Sequence, residues 1–194
     1  MKPLSATDLM PLEQYARERP AFRERVMAHK RPRQLQVGPN MTWSFEDRLT
    51  IQYQVQEMLR VERIFEPEGI AEELASYNPL IPDGSNWKVT LLIEFAEPLE
   101  RRRQLAQLKG VESRCWVQAA GSARVYAIAD EDLPRENEEK TSAVHFLRFD
   151  LTAPAVAALR SGAALAAGVD HDHYRHSVEP LPAAVRAALI ADLD

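Results

Sequence analysis

The chain has 194 residues, of which 45% are hydrophobic and 27% charged, and its net charge at pH 7 is −5. This length and apolar content are enough for one hydrophobic core, so we expect a single α+β domain over residues 1–194. The longest apolar runs are strand-sized and no signal pattern opens the chain, which excludes a membrane-spanning class and predicts a soluble, cytoplasmic protein. The single cysteine, Cys115, excludes an intramolecular disulfide and favours a buried structural thiol.

Charge is distributed unevenly along the sequence. Residues 17–33 contain seven Lys or Arg and two Glu, whereas residues 130–140 contain six acids and two bases. An overall pI of about 5.6 favours a solvated basic helix over a phosphate-binding arm, so nucleic-acid binding is not expected. The two stretches could attract each other within one chain or between two copies, which leaves self-association open.

A helical N-terminal segment is predicted over residues 1–32. Thr7 and Asp8 are suited to cap a short first helix. Pro20 is expected to start a second helix, and Pro32 to end it.

A β-hairpin is predicted over residues 35–45, where apolar and polar residues alternate, and a long helix of about five turns is predicted over residues 46–66. Apolar side chains project from several sides of this helix, so we expect it to be packed on several sides. Its charged residues must then find partners inside the protein, and we expect most of them to form a structural ion-pair network. These residues are Arg48, Glu57, Glu62 and Arg63.

The remaining elements indicate an α+β fold. Its predicted core is a mainly antiparallel sheet of about five to six strands, packed against the long central helix and flanking helices. Residues 163–169 fit a strand or a helix equally well. The other predictions are helices over 68–77, 99–108, 152–160 and, at the C-terminus, 180–194; strands over 89–95 and 143–151; a hairpin of 114–119 with 124–128; and a loop over 78–86.

Candidate catalytic residues lie on the strand of residues 143–151 and on the long helix. His145 and Arg148 alternate onto opposite faces of this strand. His145 is either a satisfied core histidine or an acid/base group that faces the helix carboxylates of Glu57 and Glu62. Arg148 is either a salt-bridge partner or part of the same site.

The densest set of metal-ligand types is the segment DHDHYRH, with Asp170, His171, His173 and His176. Two histidines separated by one residue, with a third close by, can surround zinc, but such segments are also found solvated in loops. The chain lacks the phosphate-loop, dinucleotide, serine-hydrolase and zinc-protease motifs, so the usual support for those activities is missing. The sequence leaves open whether the protein uses a cofactor.

Several long segments resemble the bacterial domain-of-unknown-function family 3501. They are RPAFRERVMAHKRPRQLQVGPNM, FEDRLTIQYQVQEMLRVERIF, YNPLIPDGSN, EDLPRENEEKTSAVHFLRFDLT and GVDHDHY. The family pattern Asp-His-x-x-Tyr is matched by Asp170, His171 and Tyr174, so the resemblance implies that Asp170 and His171 are better metal candidates than His173 and His176. It also implies an accessory role beside a rubrerythrin-like protein and an iron–sulfur protein, in redox or peroxide-stress metabolism.

Three functions remain open on these grounds, of which the least favoured is binding of an anionic partner through residues 17–33. The first is an accessory protein that binds a partner protein or a small molecule in a pocket between the long helix and the sheet. The second is an enzyme in which His145 or His171 is the general base and Glu57 or Glu62 is the acid or a metal carboxylate.

Overall fold

Two antiparallel sheets and two groups of helices make up the computed structural model, which describes residues 1–131, 135, 137 and 139–194. The helices within this part of the chain are α1 (Leu12–Lys30), α2 (Arg48–Glu62), α3 (Pro67–Tyr77), α4 (Pro98–Gln107), α5 (Ala153–Arg160) and α6 (Ala183–Ile190). The strands are β1 (Gln34–Gln36), β2 (Met41–Glu46), β3 (Asn86–Ile93), β4 (Cys115–Ala119), β5 (Val125–Tyr126), β6 (Ile128–Ala129), β7 (Val144–Asp150), β8 (Leu165–His171) and β9 (Tyr174–Val178). Among the described residues, no helix is long and apolar enough to cross a membrane.

The strands divide between a five-stranded sheet, in the order β1-β2-β3-β7-β6, and a four-stranded sheet, in the order β5-β4-β8-β9. Every neighbouring pair is antiparallel. The α+β class and the antiparallel pairing predicted from the sequence are confirmed. The division arises where β5 pairs with β4 while β6, separated from β5 by Ala127 alone, pairs with β7.

The inner face of the five-stranded sheet packs against the main hydrophobic core. Trp43, Leu91 and Phe149 are fully buried, and the rings of Trp43 and Phe149 stack with centroids 5.5 Å apart. The four-stranded sheet and helices α4, α5 and α6 close this core from the other side. The outer face carries the polar positions of the same strands, such as Ser44, Lys88 and Thr90, as the period of two requires.

The helical layer, formed by α1, α2 and α3, lies over the outer face and has hydrophobic clusters of its own. Ile51 and Val55 of α2 pack with Leu74 of α3, and Tyr15 and Phe22 belong to a second cluster near α2. The helices therefore bury much of their apolar surface against each other rather than against the sheet.

Helix α1 differs from the prediction because it is one continuous helix that contains Pro20. Pro20 is exposed, while Tyr15 and Phe22 on either side of it are buried. These contacts hold both halves of the helix in line, although proline removes one backbone hydrogen bond.

Helix α2 is shorter than the predicted range of 46–66. Asp47 caps its start, since the carboxylate accepts hydrogen bonds from the backbone N–H groups of Leu49 (3.0 Å) and Thr50 (2.9 Å). The helix ends at Glu62 because Arg63 adopts a left-handed conformation with φ of 57°. The ambiguous segment 163–169 forms strand β8.

A buried ionic cluster joins the helical layer to the C-terminal region. Arg33 donates two hydrogen bonds of 2.7 Å to the carboxylate of Asp192, and both residues are 5% exposed. Arg33 also lies 3.1 Å from the carboxylate of Asp47, which His29 contacts as well. Each buried charge thus has an oppositely charged partner, as burial requires.

Candidate binding cleft

A cleft separates α2 and α3 from the outer face of the five-stranded sheet. Its larger lobe has a volume of about 550 Å³ and its smaller lobe about 310 Å³. Tyr77, Leu80 and Phe146 line both lobes, so the two lobes are adjacent at these three residues, which form an apolar waist. The volume lies in the range of small-molecule sites in proteins.

The space between the two layers stays open because few large side chains from either layer project into it. On the sheet side, Ser44 and Thr90 are short polar residues. On the helix side, Val55 and Leu74 turn towards each other within the helical layer. An apolar contact between the layers is therefore confined to a few side chains, among them Phe146.

The larger lobe has an apolar body and a charged end. Its apolar lining comes from Met58, Tyr77, Pro79, Leu80, Phe146 and Leu147. Its charged lining consists of three cations, Lys88, Arg135 and Arg148, and two carboxylates, Glu73 and Glu131. Such a mixture suits a ligand with one polar and one apolar part.

Arg148 is fully engaged with carboxylates at this charged end. Its Nε and Nη2 atoms donate to the two oxygens of Glu131, each at 2.8 Å, and its Nη1 atom donates to Asp150. The guanidinium holds the pKa of Glu131 below its usual value, and the two acids raise the pKa of Arg148. Arg135 lies 3.3 Å from a carboxylate oxygen of Asp130, and its guanidinium stacks on Phe146.

Lys88 is different, because its ammonium forms no hydrogen bond or ion pair with any residue that the structure describes. It is half-buried on β3, directly opposite Arg148 on β7 and Glu46 on β2. Glu46 accepts a hydrogen bond of 2.7 Å from the hydroxyl of Thr90 instead. Burial, and then the charge of Arg148, lower the pKa of Lys88.

Glu73 of α3 borders the same lobe from the helix side. Burial raises its pKa, and the neighbouring carboxylates of Glu62 and Glu72 raise it further. The larger lobe therefore disfavours the charged form of Glu73 on its helix side and the charged form of Lys88 on its sheet side.

His145 lies on the inner face of β7, away from the helical layer, and is 0% exposed. Its Nδ1 contacts a carboxylate oxygen of Asp130 at 2.5 Å, and its Nε2 contacts the hydroxyl of Thr141 at 2.9 Å. The expectation that His145 and Arg148 occupy opposite faces is confirmed. The histidine faces the loop at Asp130 rather than the carboxylates of α2.

Glu57 and Glu62 lie on α2 but do not line the cleft. Glu57 accepts two hydrogen bonds from Arg19, at 2.7 and 2.8 Å, and one of 2.7 Å from the hydroxyl of Tyr15. These bonds hold the pKa of Glu57 down at about 2, with Arg19 as the largest cause. Glu57 therefore takes part in the expected ion pairing, whereas Glu62 is exposed at the end of the helix.

Asp170 and His171 lie at the end of the four-stranded sheet, across the main core from the cleft. The backbone N–H of His173 donates to Nδ1 of His171 at 3.2 Å, so Nε2 carries the hydrogen that the Lys109 carbonyl accepts at 3.0 Å. A metal at either nitrogen would have to displace one of these bonds. Within the described part of the chain, no three His, Cys, Asp or Glu side chains are arranged to hold a metal ion.

Tyr174, the last residue of the Asp-His-x-x-Tyr pattern, joins the two sheets. Its buried hydroxyl donates to the carbonyl of Val37 at 2.8 Å and accepts from the backbone N–H of Asn40 at 3.0 Å. The tyrosine thus fixes the β1–β2 turn, where Gly38 has φ of 70°. A Cβ atom on Gly38 would lie 2.5 Å from this hydroxyl, so only glycine fits there.

The structure brings only Arg148, among the four catalytic candidates, to the larger lobe. Lys88 was not among the candidates chosen from the sequence. The sequence shows that Lys88 alternates with the apolar residues of its strand, but its proximity to Arg148 follows from the pairing of β3 with β7. Arg135 falls within the acidic stretch 130–140, parts of which lie outside the described residues.

Comparison with known proteins identifies relatives but no activity. The model of a family described as "protein of unknown function (DUF3501)" matches residues 3–193. The chain is 47% identical to a protein of unknown function from Burkholderia pseudomallei K96243, known from a crystal structure at 1.90 Å. That match covers 100% of both chains with a TM-score of 0.94. No curated protein matches the chain.

Proposed function

Because the chain belongs to the DUF3501 family, whose function is unknown, we propose its function from the cleft: the protein binds a small molecule between the helical layer and the five-stranded sheet. The observation that carries this proposal is the larger lobe, a cavity of about 550 Å³ with an apolar body and a charged end, which adjoins the smaller lobe at Tyr77, Leu80 and Phe146. A site with apolar walls and a few polar groups at its ends is typical of ligand pockets.

The positions of the ionisable groups favour binding over acid/base catalysis. Glu57 is held by Arg19 on the far side of α2, and His145 is enclosed on the other side of the sheet. Acid/base catalysis requires such groups within hydrogen-bond reach of one substrate. An enzyme that uses His145 or His171 with a helix carboxylate stays a prediction.

The accessory role in redox metabolism, with a rubrerythrin-like or iron–sulfur partner, also stays a prediction that the family resemblance alone supports. Small-molecule binding is compatible with such a role. Small-molecule binding, unlike the accessory role, can be tested on the purified protein alone.

Binding of the neutral fluorescent dye Nile red tests the proposal, because its emission rises in apolar pockets. We expect the wild-type protein to bind it and Ser76→Trp, which fills the larger lobe from α3, to lose binding. Ser76 is suitable because its hydroxyl bonds only within its own helix, to the carbonyl of Glu72. Ala75→Trp is the matched control, since Ala75 is exposed on α3 and does not line the cleft.

Far-ultraviolet circular dichroism establishes that both variants are folded. Equal dye binding by Ser76→Trp and the wild type, or no binding by the wild type, would contradict the proposed function.

A further inference from the structure

We propose that the ligand of the larger lobe is an amphipathic monocarboxylate whose carboxylate pairs with the ammonium of Lys88. The inference rests on the proposed function and specifies its ligand class. A medium-chain fatty acid or a carboxylic acid with an aromatic body has this chemistry.

The first argument is the unequal pairing of the cations that line the lobe. Arg148 has both Glu131 and Asp150 as partners, and Arg135 lies beside Asp130. Lys88 has no such partner among the described residues. Glu131, Asp150 and Asp83 act on Lys88 only from a distance, so the lobe presents one ammonium without a direct carboxylate partner among the described residues.

The second argument is the environment of this ammonium. Lys88 is half-buried and lies directly opposite the guanidinium of Arg148 across the β3–β7 pair. A charge that has lost part of its hydration and faces a like charge is destabilised, and an anion next to it would restore the balance. An ammonium in this position forms a stronger pair than one on the open surface.

The third argument is the number of lining cations that lack a carboxylate partner. Arg148 is paired with Glu131 and Asp150, and Arg135 lies beside Asp130, so Lys88 is the cation of the described lining that has no carboxylate at ion-pair distance. A monoanion supplies one such partner, whereas a phosphate dianion would bring a second negative charge close to Glu73 and Glu131. A cationic ligand would meet the repulsion that Lys88 already experiences.

The fourth argument is the wall beyond the ammonium. On leaving Lys88, a ligand meets Phe146 on the sheet and Met58 and Leu80 on the helix side. Burying a chain or ring against these side chains contributes about 25 cal/mol per Å² of apolar surface. The carboxylate is thereby oriented towards Lys88 and the body towards the waist.

Displacement of Nile red by three probes of equal chain length tests the inference at pH 8: octanoate, octanol and octyl phosphate. We expect octanoate to bind the wild type at least about tenfold more tightly than octanol, as for a buried hydrogen-bonded charge. In Lys88→Met, which keeps an unbranched side chain but removes the ammonium, octanoate should lose about tenfold in affinity and octanol should lose none. Lys2→Met is the control, because Lys2 is exposed near the start of the chain and lines neither lobe.

The outcomes separate this inference from the proposed function. Equal displacement by octanol and octanoate, or unchanged octanoate binding by Lys88→Met, would overturn the carboxylate inference while leaving a cleft that binds apolar molecules. Tighter binding of octyl phosphate than of octanoate would overturn the monoanion class. Absence of dye binding by the wild type would overturn the proposed function as well.

Discussion

Lys88 and Arg148 lie opposite each other on β3 and β7, yet the carboxylates of Glu131 and Asp150 both pair with Arg148. Two like charges on facing strand positions repel each other, and either acid could have relieved Lys88. Both carboxylates pair with Arg148 because its forked guanidinium can accommodate two carboxylates at once. One cation is thereby made structural, and the other is left facing the cleft.

Lys88→Met should stabilise the ligand-free protein at pH 7 by about 0.2–1 kcal/mol, because it removes a like charge opposite Arg148. The pKa of Lys88 is lowered in the folded state, so the unfolded chain binds more protons as the pH approaches the ordinary lysine value. Wild-type stability therefore gains relative to the variant as the pH rises towards about 10.4. Urea denaturation of both proteins between pH 7 and 10 measures this convergence.

Arg148→Met provides the contrast to this variant. It leaves Glu131 and Asp150 without their guanidinium partner, so it should destabilise the protein. Equal effects of the two substitutions would show that the pairing difference between the two cations has no energetic weight.

Glu57→Gln should lower the free energy of unfolding by about 1–2 kcal/mol at pH 7, because Glu57 accepts charge-assisted bonds from Arg19. The pKa of Glu57 is lowered from 4.5 to about 2 in the folded protein. Its contribution is complete above pH 4.5 and disappears as the pH falls from 4.5 to about 2. Denaturation curves across this pH range should show the variant and the wild type converging at the acid end.

Glu62→Gln is the matched control on the same helix. Glu62 is exposed and has no ion pair among the described residues, so the substitution should change stability by less than about 0.5 kcal/mol. A pH dependence as large as that of Glu57→Gln would speak against the pairing of Glu57 with Arg19 as the cause.

His145→Gln and Asp130→Asn should each cost about 2–3 kcal/mol, because each leaves a buried polar partner unsatisfied. The double variant should cost less than the sum of the two, as expected for residues in direct contact. Urea denaturation of the four proteins completes the cycle. His173→Gln, at an exposed turn, should be nearly neutral, and additive costs would contradict direct coupling of His145 with Asp130.

Tyr174→Phe should destabilise the protein by about 1–3 kcal/mol, since it leaves the carbonyl of Val37 and the N–H of Asn40 without the hydroxyl. Tyr126→Phe removes a hydroxyl that lies 3.2 Å from Asp170 at the surface and should cost much less. Thermal unfolding of the two variants compares them directly. Similar shifts of the melting temperature would mean that the connection between the sheets is not the source of the effect.

Alternation along single strands predicted the antiparallel strands, but not their division between two sheets, in which Ile128 pairs with β7 and not with β4. The opposite faces of His145 and Arg148 follow from a period of two, which depends on the chain locally. Helix ends were less predictable, because Ile64 and Phe65 continue the apolar pattern of α2 although the backbone turns at Arg63. Pro20 shows the reverse case, in which packing of the flanking residues overrides a local signal.

A pocket between the long helix and the sheet was predicted from the apolar residues on several sides of that helix. The charged end of the pocket was not predicted. The lack of a direct partner for Lys88 depends on which strands are neighbours and on the pairing of Glu131 and Asp150 with Arg148. Neither property is contained in the periodicity of one segment. The prediction that His145 faces the helix carboxylates failed for the same reason. The side of the sheet that the helices cover depends on the packing of the whole chain.

The buried ion pair between Arg33 and Asp192 restricts the positions at which a label or a surface linker can be attached without disturbing the fold. Asp192 and Leu193 are 5% and 6% exposed, so a label at either residue would separate buried charges or enter the core. The turn at Asp172 offers the opposite situation, with a side chain that is 85% exposed. An attachment there leaves the cleft open to solution on the other side of the molecule, which suits surface-based binding measurements.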